Sequence, residues 1–270
     1  MSVEWKMKRR ILAALAGLML ACAPLGAIAP PSGRDGKVWR SSVLIEATSA
    51  EAGINTPKSL CSGNVIRRTK HGIIVMTAGH CGPANPDLPD DLVLSVAHDI
   101  DTPPQTATIL IDKMATDESL DVMLLYVPVA KPKDWQPIEL GSDSTLRVGD
   151  KTLTVGFPLT AAKVLSRGTV VSIENLTKDW PKGYFLVDDT TTHGNSGSGV
   201  TKDGKIVGLV IMGVDGANFP AVDEGIDNIR EMLGHVAIQE DGKTYPLLKG
   251  SLESTKALIV IGPAEVLSIR

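Results

Sequence analysis

The sequence has few aromatic residues, few cysteines and no long block of like charge, and these shortages limit what the protein can be. Three Phe, three Tyr and four Trp among 270 residues mean that aliphatic side chains must fill most of a core. The 27 basic and 31 acidic residues are scattered, which leaves no electrostatic footprint for nucleic acid. With 43% apolar residues, 21% charged residues and no internal repeat, the composition is typical of a globular protein.

Residues 1–29 are expected to be an export signal rather than part of the fold. Four basic residues precede an apolar run over 11–23, which is too short to span a bilayer comfortably but suits a secretory signal. The cleavage site stays open, with Ala27 as one candidate, because both small-x-small triplets are followed by proline. The competing interpretation of the segment is a buried N-terminal helix. A lipid anchor on Cys22 is a second alternative, although Leu20 stands where a lipoprotein box has a small residue. The expected location is therefore the periplasm, the medium or a membrane surface.

The remaining cysteines, Cys61 and Cys81, are expected to form a disulfide, because an exported chain meets an oxidising compartment. The alternative is a zinc site made by both cysteines and His80, which lacks a fourth ligand at motif spacing. The sequence thus predicts neither a metal nor a cofactor.

Short runs rich in Val and Thr, separated by Gly, Pro and Asp, predict an all-β fold. The first set of strands comprises Val43–Ala47, Gly63–Ile66, Gly72–Thr77, Leu92–Ala97, Thr106–Asp112 and Val122–Val127. The second set comprises Thr152–Gly156, Gly168–Ile173, Tyr184–Val187, Gly199–Thr201 and Lys205–Met212. Two sets of about six strands predict two six-stranded antiparallel barrels, over about 38–130 and 141–222, after a linker at 30–37.

A short helix is expected near Glu224–Leu233, because Ile226, Ile229 and Leu233 recur at helical spacing and Gly234 ends the pattern. Residues 235–270 would form a small β extension on the second barrel, with a hairpin turn at 241–242 and a last strand over 257–262.

Three short segments carry the residue types needed for nucleophilic catalysis. His80 closes a strand in Thr77-Ala78-Gly79-His80-Cys81, Asp121 opens one, and Ser196 lies in the glycine-rich run Gly194-Asn195-Ser196-Gly197-Ser198-Gly199. Each segment alone usually has a structural role, as a core histidine, a turn aspartate or a loop. Together, in the order His, Asp, Ser, they predict the triad of the double-barrel proteases rather than an α/β-hydrolase, whose elbow motif is also missing.

These motifs resemble the trypsin-like serine peptidases over about residues 38–233, most closely the bacterial HtrA-type and glutamyl endopeptidase branches. The resemblance rests on the cysteines that bracket the histidine, on Thr154-Val155-Gly156-Phe157-Pro158, and on the run Asp189–Val200. It departs at Gly199, where the glutamyl endopeptidases usually have proline. The 36 residues after Gly234 are too few for the PDZ domain of HtrA proteases, so none is expected.

The resemblance implies roles for the site residues. Ser196 would be the nucleophile, His80 its base, Asp121 the group that orients the imidazole, and the N–H groups of Gly194 and Ser196 the oxyanion hole. Weaker candidates for the acid are Asp99, Asp101 and Asp117, which do not begin an apolar strand. Ser198 is the weaker nucleophile, because it lies beyond the glycine that the turn requires.

By the same resemblance, Thr190 lies at the base of the specificity pocket, with Thr191, His193, Val210 and Gly213 around it. An apolar wall predicts cleavage of proteins or peptides after small or medium aliphatic residues, while His193 offers a competing interpretation in which Glu or Asp is selected. A catalytically silent peptide-binding homologue and an esterase with the same triad remain alternatives, and the sequence leaves the oligomeric state open.

Overall fold

The computed structural model describes residues 30–49, 57–88, 91–114, 120–160, 162–173, 184–189, 191–213, 221–234, 236–240, 243–248 and 259–261. The chain divides into two compact units, Met1–Pro31 and Ser32–Arg270, and nearly all described residues belong to the second. The expected export signal and Cys22 lie outside the described residues. Within them, no helix is long and apolar enough to cross a membrane.

The first sheet is a barrel of six strands, one of which is interrupted. Its strands are β1 (Ser42–Ser49), β2 (Pro57–Arg68), β3 (Gly72–Thr77), β4 (Leu92–Ala97), β5 (Gln105–Thr106), β6 (Thr108–Asp112) and β7 (Met123–Pro128), in the order β5-β4-β1-β2-β3-β7-β6. The short β5 and β6 flank Ala107, whose N–H donates to the carbonyl of Leu94 at 2.8 Å. Because β5 pairs with β4 and β6 pairs with β7, the segment 105–112 closes the sheet on itself.

The second sheet also closes on itself and carries one additional strand. Its strands are β8 (Glu139–Leu140), β9 (Lys151–Gly156), β10 (Val164–Ser172), β11 (Tyr184–Asp188), β12 (Gly199–Lys202), β13 (Lys205–Gly213) and β14 (Ala221–Gly225), in the order β12-β9-β10-β11-β14-β13-β8. Pairing of β12 with β13 completes a ring of six antiparallel strands, and β8 adds to β13 in parallel. The predicted class, two six-stranded barrels, is confirmed.

The chain enters the first barrel through a helix, α1 (Gly33–Ser41), that begins inside the segment expected to be a linker. Gly33 and Gly36 lower helix propensity, so the sequence pattern gives no helix signal there. The helix is held by tertiary contacts instead: Val38 is buried in the main core, and Lys163 donates to the carbonyl of Trp39 at 3.4 Å. Burial lowers the pKa of this lysine to about 8. The compact unit Ser32–Arg270 includes this helix.

The second helix, α2 (Ile226–Gly234), follows β14 directly and confirms the predicted helix, except that residues 224 and 225 belong to the strand. All three apolar residues of its pattern are fully buried. A pair of carboxyl groups fastens its first turn to the inter-barrel segment, where the Asp227 N–H donates to Asp143 Oδ1 at 2.9 Å. Burial and then the contact with Asp227 raise the pKa of Asp143 to about 6. Hydrogen bonds from Asp143 and Ser142 outweigh burial and lower the pKa of Asp227.

A three-stranded sheet follows α2, made by β15 (Val236–Glu240), β16 (Lys243–Pro246) and β17 (Ile259–Ile261). The expected turn at 241–242 lies outside the described residues, but Glu240 pairs with Lys243 as a hairpin requires. The expectation that this extension packs on the second barrel stays a prediction, and the structure shows a contact with the first barrel. Arg67 of β2, in the first barrel, donates to the carbonyls of Pro246 and Leu247. The sequence pattern gives no signal for this long-range contact.

Candidate active site

His80 and Asp121 meet at the end of two neighbouring strands of the first barrel. His80 lies in a 3-10 turn, Gly79–Cys81, just after β3, and Asp121 lies two residues before β7, which pairs with β3. The carboxylate accepts two hydrogen bonds from the histidine: the backbone N–H donates to Oδ1 at 2.8 Å, and the ring Nδ1–H donates to Oδ2 at 2.6 Å. Both side chains keep some exposure, about 26% and 20%. This two-point contact fixes the imidazole ring, and the ring nitrogen that does not contact Asp121 is Nε2.

Gly79 makes the close approach of Asp121 possible. A Cβ at this position would lie 3.1 Å from Asp121 Oδ1 and 2.7 Å from the Cβ of Met114. Any side chain here would therefore push the carboxylate away from the N–H of His80.

A disulfide between Cys61 and Cys81 joins β2 to the turn that carries His80, with a Cα–Cα distance of 6.2 Å. The predicted pairing is thus present. Ligand atoms of Cys61, His80 and Cys81 lie within 4.8 Å of one another, which is the group weighed as a zinc site. With both sulfurs bonded to each other, no thiolate is free to hold a metal there.

Ser196 lies in the turn Gly194–Gly197 that precedes β12, and this turn packs against the first barrel. The Ser62 N–H donates to the carbonyl of Ser196 at 2.8 Å. A Cβ on Gly197 would lie 2.7 Å from the backbone nitrogen of Ala78, two residues before His80. The fold thus brings the third predicted residue to the strand end that carries the other two.

No hydrogen bond joins the Ser196 hydroxyl to His80 in the described part of the chain. Contacts of this kind are commonly long in enzymes without substrate and shorten in the complex. Ser196 is half-buried, whereas Ser198 is fully buried and its hydroxyl has no partner among the described residues. A substrate would reach Ser196 and not Ser198.

The backbone of the turn leaves two N–H groups without acceptors. Each carbonyl from residue 193 to residue 196 accepts a hydrogen bond: from Leu159 N, Ser62 Oγ, Ser198 N and Ser62 N, at 2.8, 2.7, 2.9 and 2.8 Å in chain order. The N–H groups of residues 195, 197 and 198 donate within the second barrel. Those of Gly194 and Ser196 donate to nothing in the described ranges. Buried backbone donors are normally paired, so two unpaired N–H groups in one turn are groups that could bind an anion.

Gly194 requires its glycine for both conformation and space. Its φ is +97°, in the left-handed region, and a Cβ would lie 2.2 Å from the carbonyl oxygen of Phe157. The Leu159 N–H donates to the His193 carbonyl, and in a trans peptide the N–H of the following residue, Gly194, points the opposite way to that carbonyl. The Gly194 N–H therefore points away from Leu159.

The predicted pocket residues are only partly described. Thr190 lies outside the described residues. Thr191 is half-buried with a hydroxyl that has no partner among them, and His193 is exposed. Val210 packs in the core of the second barrel, and its carbonyl accepts the Gly197 N–H at 2.7 Å. Its backbone, rather than its side chain, faces the turn. Gly213 ends β13, three residues farther on.

The weaker acid candidates are used elsewhere or lie apart. Asp99 accepts the Ile100 N–H in a local turn, Asp101 is exposed, and Asp117 lies outside the described residues. Ser62 and Leu159 hold the turn, and sequence reasoning missed both. The only sequence signal for Ser62 was its position beside Cys61, and Leu159 gave none, because its left-handed φ of +50° is unusual for a leucine.

Known proteins that are similar to this chain are serine proteases. The sequence model of one protein family, the trypsin-like peptidase domain, matches residues 61–209. An HtrA-like serine protease of Staphylococcus haemolyticus is 26% identical over 200 residues, which cover 68% of this chain and 29% of that protein. The periplasmic serine endoprotease DegP of Salmonella typhimurium is 28% identical over 108 residues, 38% of this chain and 22% of that protein. The chain thus matches less than a third of either relative.

A solved structure supports the fold. The crystal structure of the serine endoprotease from Yersinia pestis superposes with a TM-score of 0.56 at 16% identity, covering 74% of this chain and 65% of that one.

Proposed function

Because the chain belongs to the trypsin-like peptidase family, we propose that it is a serine endopeptidase with His80, Asp121 and Ser196 as its catalytic triad. The observation that carries the proposal is the two-point contact of Asp121 with His80, beside a turn that presents two unpaired N–H groups. This combination supplies a base and an anion site to one reacting carbonyl.

In the proposed reaction, the Ser196 hydroxyl attacks the carbonyl carbon of the scissile amide while Nε2 of His80 takes its proton. The C–N bond then breaks, the amine leaves with the proton from His80, and an acyl ester remains on Ser196. Water attacks this ester with the same base, and the acid product leaves. Asp121 keeps the proton of the neutral imidazole on Nδ1, so that Nε2 is free to accept.

The N–H groups of Gly194 and Ser196 are proposed to bind the oxyanion of the tetrahedral intermediate. Removing one such donor costs roughly 3 kcal/mol of transition-state stabilisation in serine proteases. The four bonded carbonyls of the turn support this role, because a rigid turn does not have to reorganise when the charge develops.

For specificity, we propose cleavage after small or medium aliphatic residues, with Thr190 and Thr191 in the pocket that receives the side chain. A buried aliphatic group contributes about 1 to 3 kcal/mol. Asp189, the acidic residue next to Thr190, accepts a hydrogen bond from the Ser166 hydroxyl. The exposed His193 supports the competing preference for Glu or Asp.

Export is proposed as well. The apolar segment at 11–23 and the disulfide fit an oxidising compartment, and one relative is named as a periplasmic protein.

The activity is tested by digesting a denatured proteome and mapping the new peptide ends by mass spectrometry. The expected result is cleavage by the wild type and none by Ser196→Ala. Equal cleavage by both proteins would contradict the proposal, and cleavage of esters only would identify an esterase.

A peptide library varied only at the residue before the scissile bond tests specificity. Val, Leu and Ala are expected to dominate. Dominant cleavage after Glu, lost in His193→Ala, would replace the aliphatic preference by an acidic one.

A further inference from the structure

The hydroxyl of Ser62 reaches from the first barrel into the turn that carries the nucleophile. Ser62 is fully buried in β2, beside Cys61. Its hydroxyl donates to the Gly194 carbonyl at 2.7 Å and accepts the Phe157 N–H at 2.9 Å. Both partners belong to the second barrel, so one hydroxyl bonds two separate segments across the barrel interface.

The backbone of the same residue holds the other side of the turn. The Ser62 N–H donates to the Ser196 carbonyl at 2.8 Å, and its own carbonyl accepts the Thr77 hydroxyl at 2.7 Å. Two of the four bonded carbonyls between residues 193 and 196 are therefore held by Ser62. The donor to Gly194 O is a side chain, whereas the donors to the other three are backbone N–H groups.

This arrangement ties the turn to the histidine. Cys61, the neighbour of Ser62, is bonded to Cys81, the residue after His80. Thr77, which donates to the Ser62 carbonyl, lies three residues before His80. Ser62 is thus the point at which the Ser196 turn of one barrel meets the His80 loop of the other.

The backbone of Gly156 is closely packed against this hydroxyl. A Cβ on Gly156 would lie 2.9 Å from Ser62 Oγ and 2.3 Å from Ser198 Oγ, so polar side chains pack tightly around that backbone. Deleting the hydroxyl would leave the Gly194 carbonyl and the Phe157 N–H buried without partners. The Gly194–Asn195 peptide would then be held only by the Asn195 N–H, which donates to the Thr192 carbonyl at 3.0 Å, and its unpaired carbonyl would favour a shift toward another donor.

We propose that Ser62 is a positioning residue, whose hydroxyl holds the Gly194–Ser196 turn in the conformation that presents both N–H groups to the oxyanion. This inference rests on the proposed function, because it assumes that Ser196 attacks a carbonyl at this turn.

The test measures kcat and KM of Ser62→Ala on a peptide amide. A misplaced oxyanion site is expected to lower kcat about 10- to 100-fold and to change KM less than threefold. A tetrahedral peptide boronate should lose affinity by a similar factor, while a non-covalent product peptide should not. A purely structural role would lower thermal stability but leave kcat and the boronate affinity unchanged, and that result would overturn the inference.

Ser42→Ala is the matched control. Ser42 is also a fully buried serine of the first barrel, and its hydroxyl donates at 2.7 Å to a carbonyl of the second barrel, that of Val155. Its loss should lower stability with kcat within twofold of the wild type. An equal fall of kcat in both variants would overturn the specific role of Ser62.

Ser62→Cys is the second variant if the alanine variant does not fold. A thiol keeps the shape but is a weak donor, so kcat should fall clearly below the wild type, and wild-type kcat would overturn the inference. Ser196→Ala, measured in parallel, separates the two proposals. Hydrolysis that persists without Ser196 rejects the proposed function itself, and with it the role of Ser62.

Discussion

Replacing Asp121 by asparagine should inactivate the protein by changing which nitrogen of His80 carries the proton. The backbone N–H of His80 needs an acceptor 2.8 Å away, so the asparagine oxygen must take the place of Oδ1. Its NH2 group then faces Nδ1, where Oδ2 lies at 2.6 Å in the wild type. Nδ1 must become the acceptor, and the ring proton moves to Nε2.

A protonated Nε2 cannot take the proton of Ser196. The expected fall in kcat is about 10⁴-fold, or about 5 kcal/mol of transition-state stabilisation, as in serine proteases with this change. Stability should change by no more than about 1 kcal/mol, because two hydrogen bonds to His80 persist.

The assay is kcat/KM for a peptide amide, with Ser196→Ala as the baseline for contaminating activity. Asp101→Asn, an exposed carboxyl outside the site, is the control and should match the wild type. A value for Asp121→Asn within tenfold of the wild type would refute the tautomer argument.

Three further outcomes are expected. Replacing both Cys61 and Cys81 by alanine should lower the free energy of unfolding by about 3 kcal/mol in the chain-entropy model, measured by urea denaturation; thiol labelling of both cysteines in the unreduced protein would contradict the bridge. Because the pKa of Asp143 is raised in the folded protein, its protonated carboxyl stabilises the fold below about pH 4. This contribution is lost as the pH rises through about 6. Asp143→Asn should therefore gain about 1 to 2 kcal/mol over the wild type between these pH values, allowing for solvent screening, and parallel pH curves would argue against it. Combining Ser196→Ala with His80→Ala should cost little beyond the worse single change in kcat/KM, and additive losses would mean that the two act separately.

Much of the fold follows from short-range patterns. Runs such as Gly72–Thr77 alternate little because both faces are buried, yet their length and β-branched residues identify strands. The closure of the first barrel through an interrupted strand at Ala107 is a long-range property, which local propensity does not encode. Helix α1 escaped prediction for the same reason, since its two glycines oppose a helix that tertiary contacts stabilise.

The candidate site divides in a similar way. The candidate catalytic groups could be proposed from the sequence, because residue type and order are properties of the sequence. The groups that hold them could not, because Ser62 and Gly194 are 132 positions apart and meet only after both barrels form. Leu159 shows the limit most clearly, since nothing in its neighbours predicts a left-handed leucine.

The central claim is that Ser196 is a nucleophile activated by His80. The most direct measurement is reaction with a labelled fluorophosphonate, followed by mass-spectrometric identification of the modified residue. A single adduct on Ser196, absent from His80→Ala, is predicted. An adduct on the neighbouring Ser198, or equal labelling of Ser196 without His80, would contradict the account.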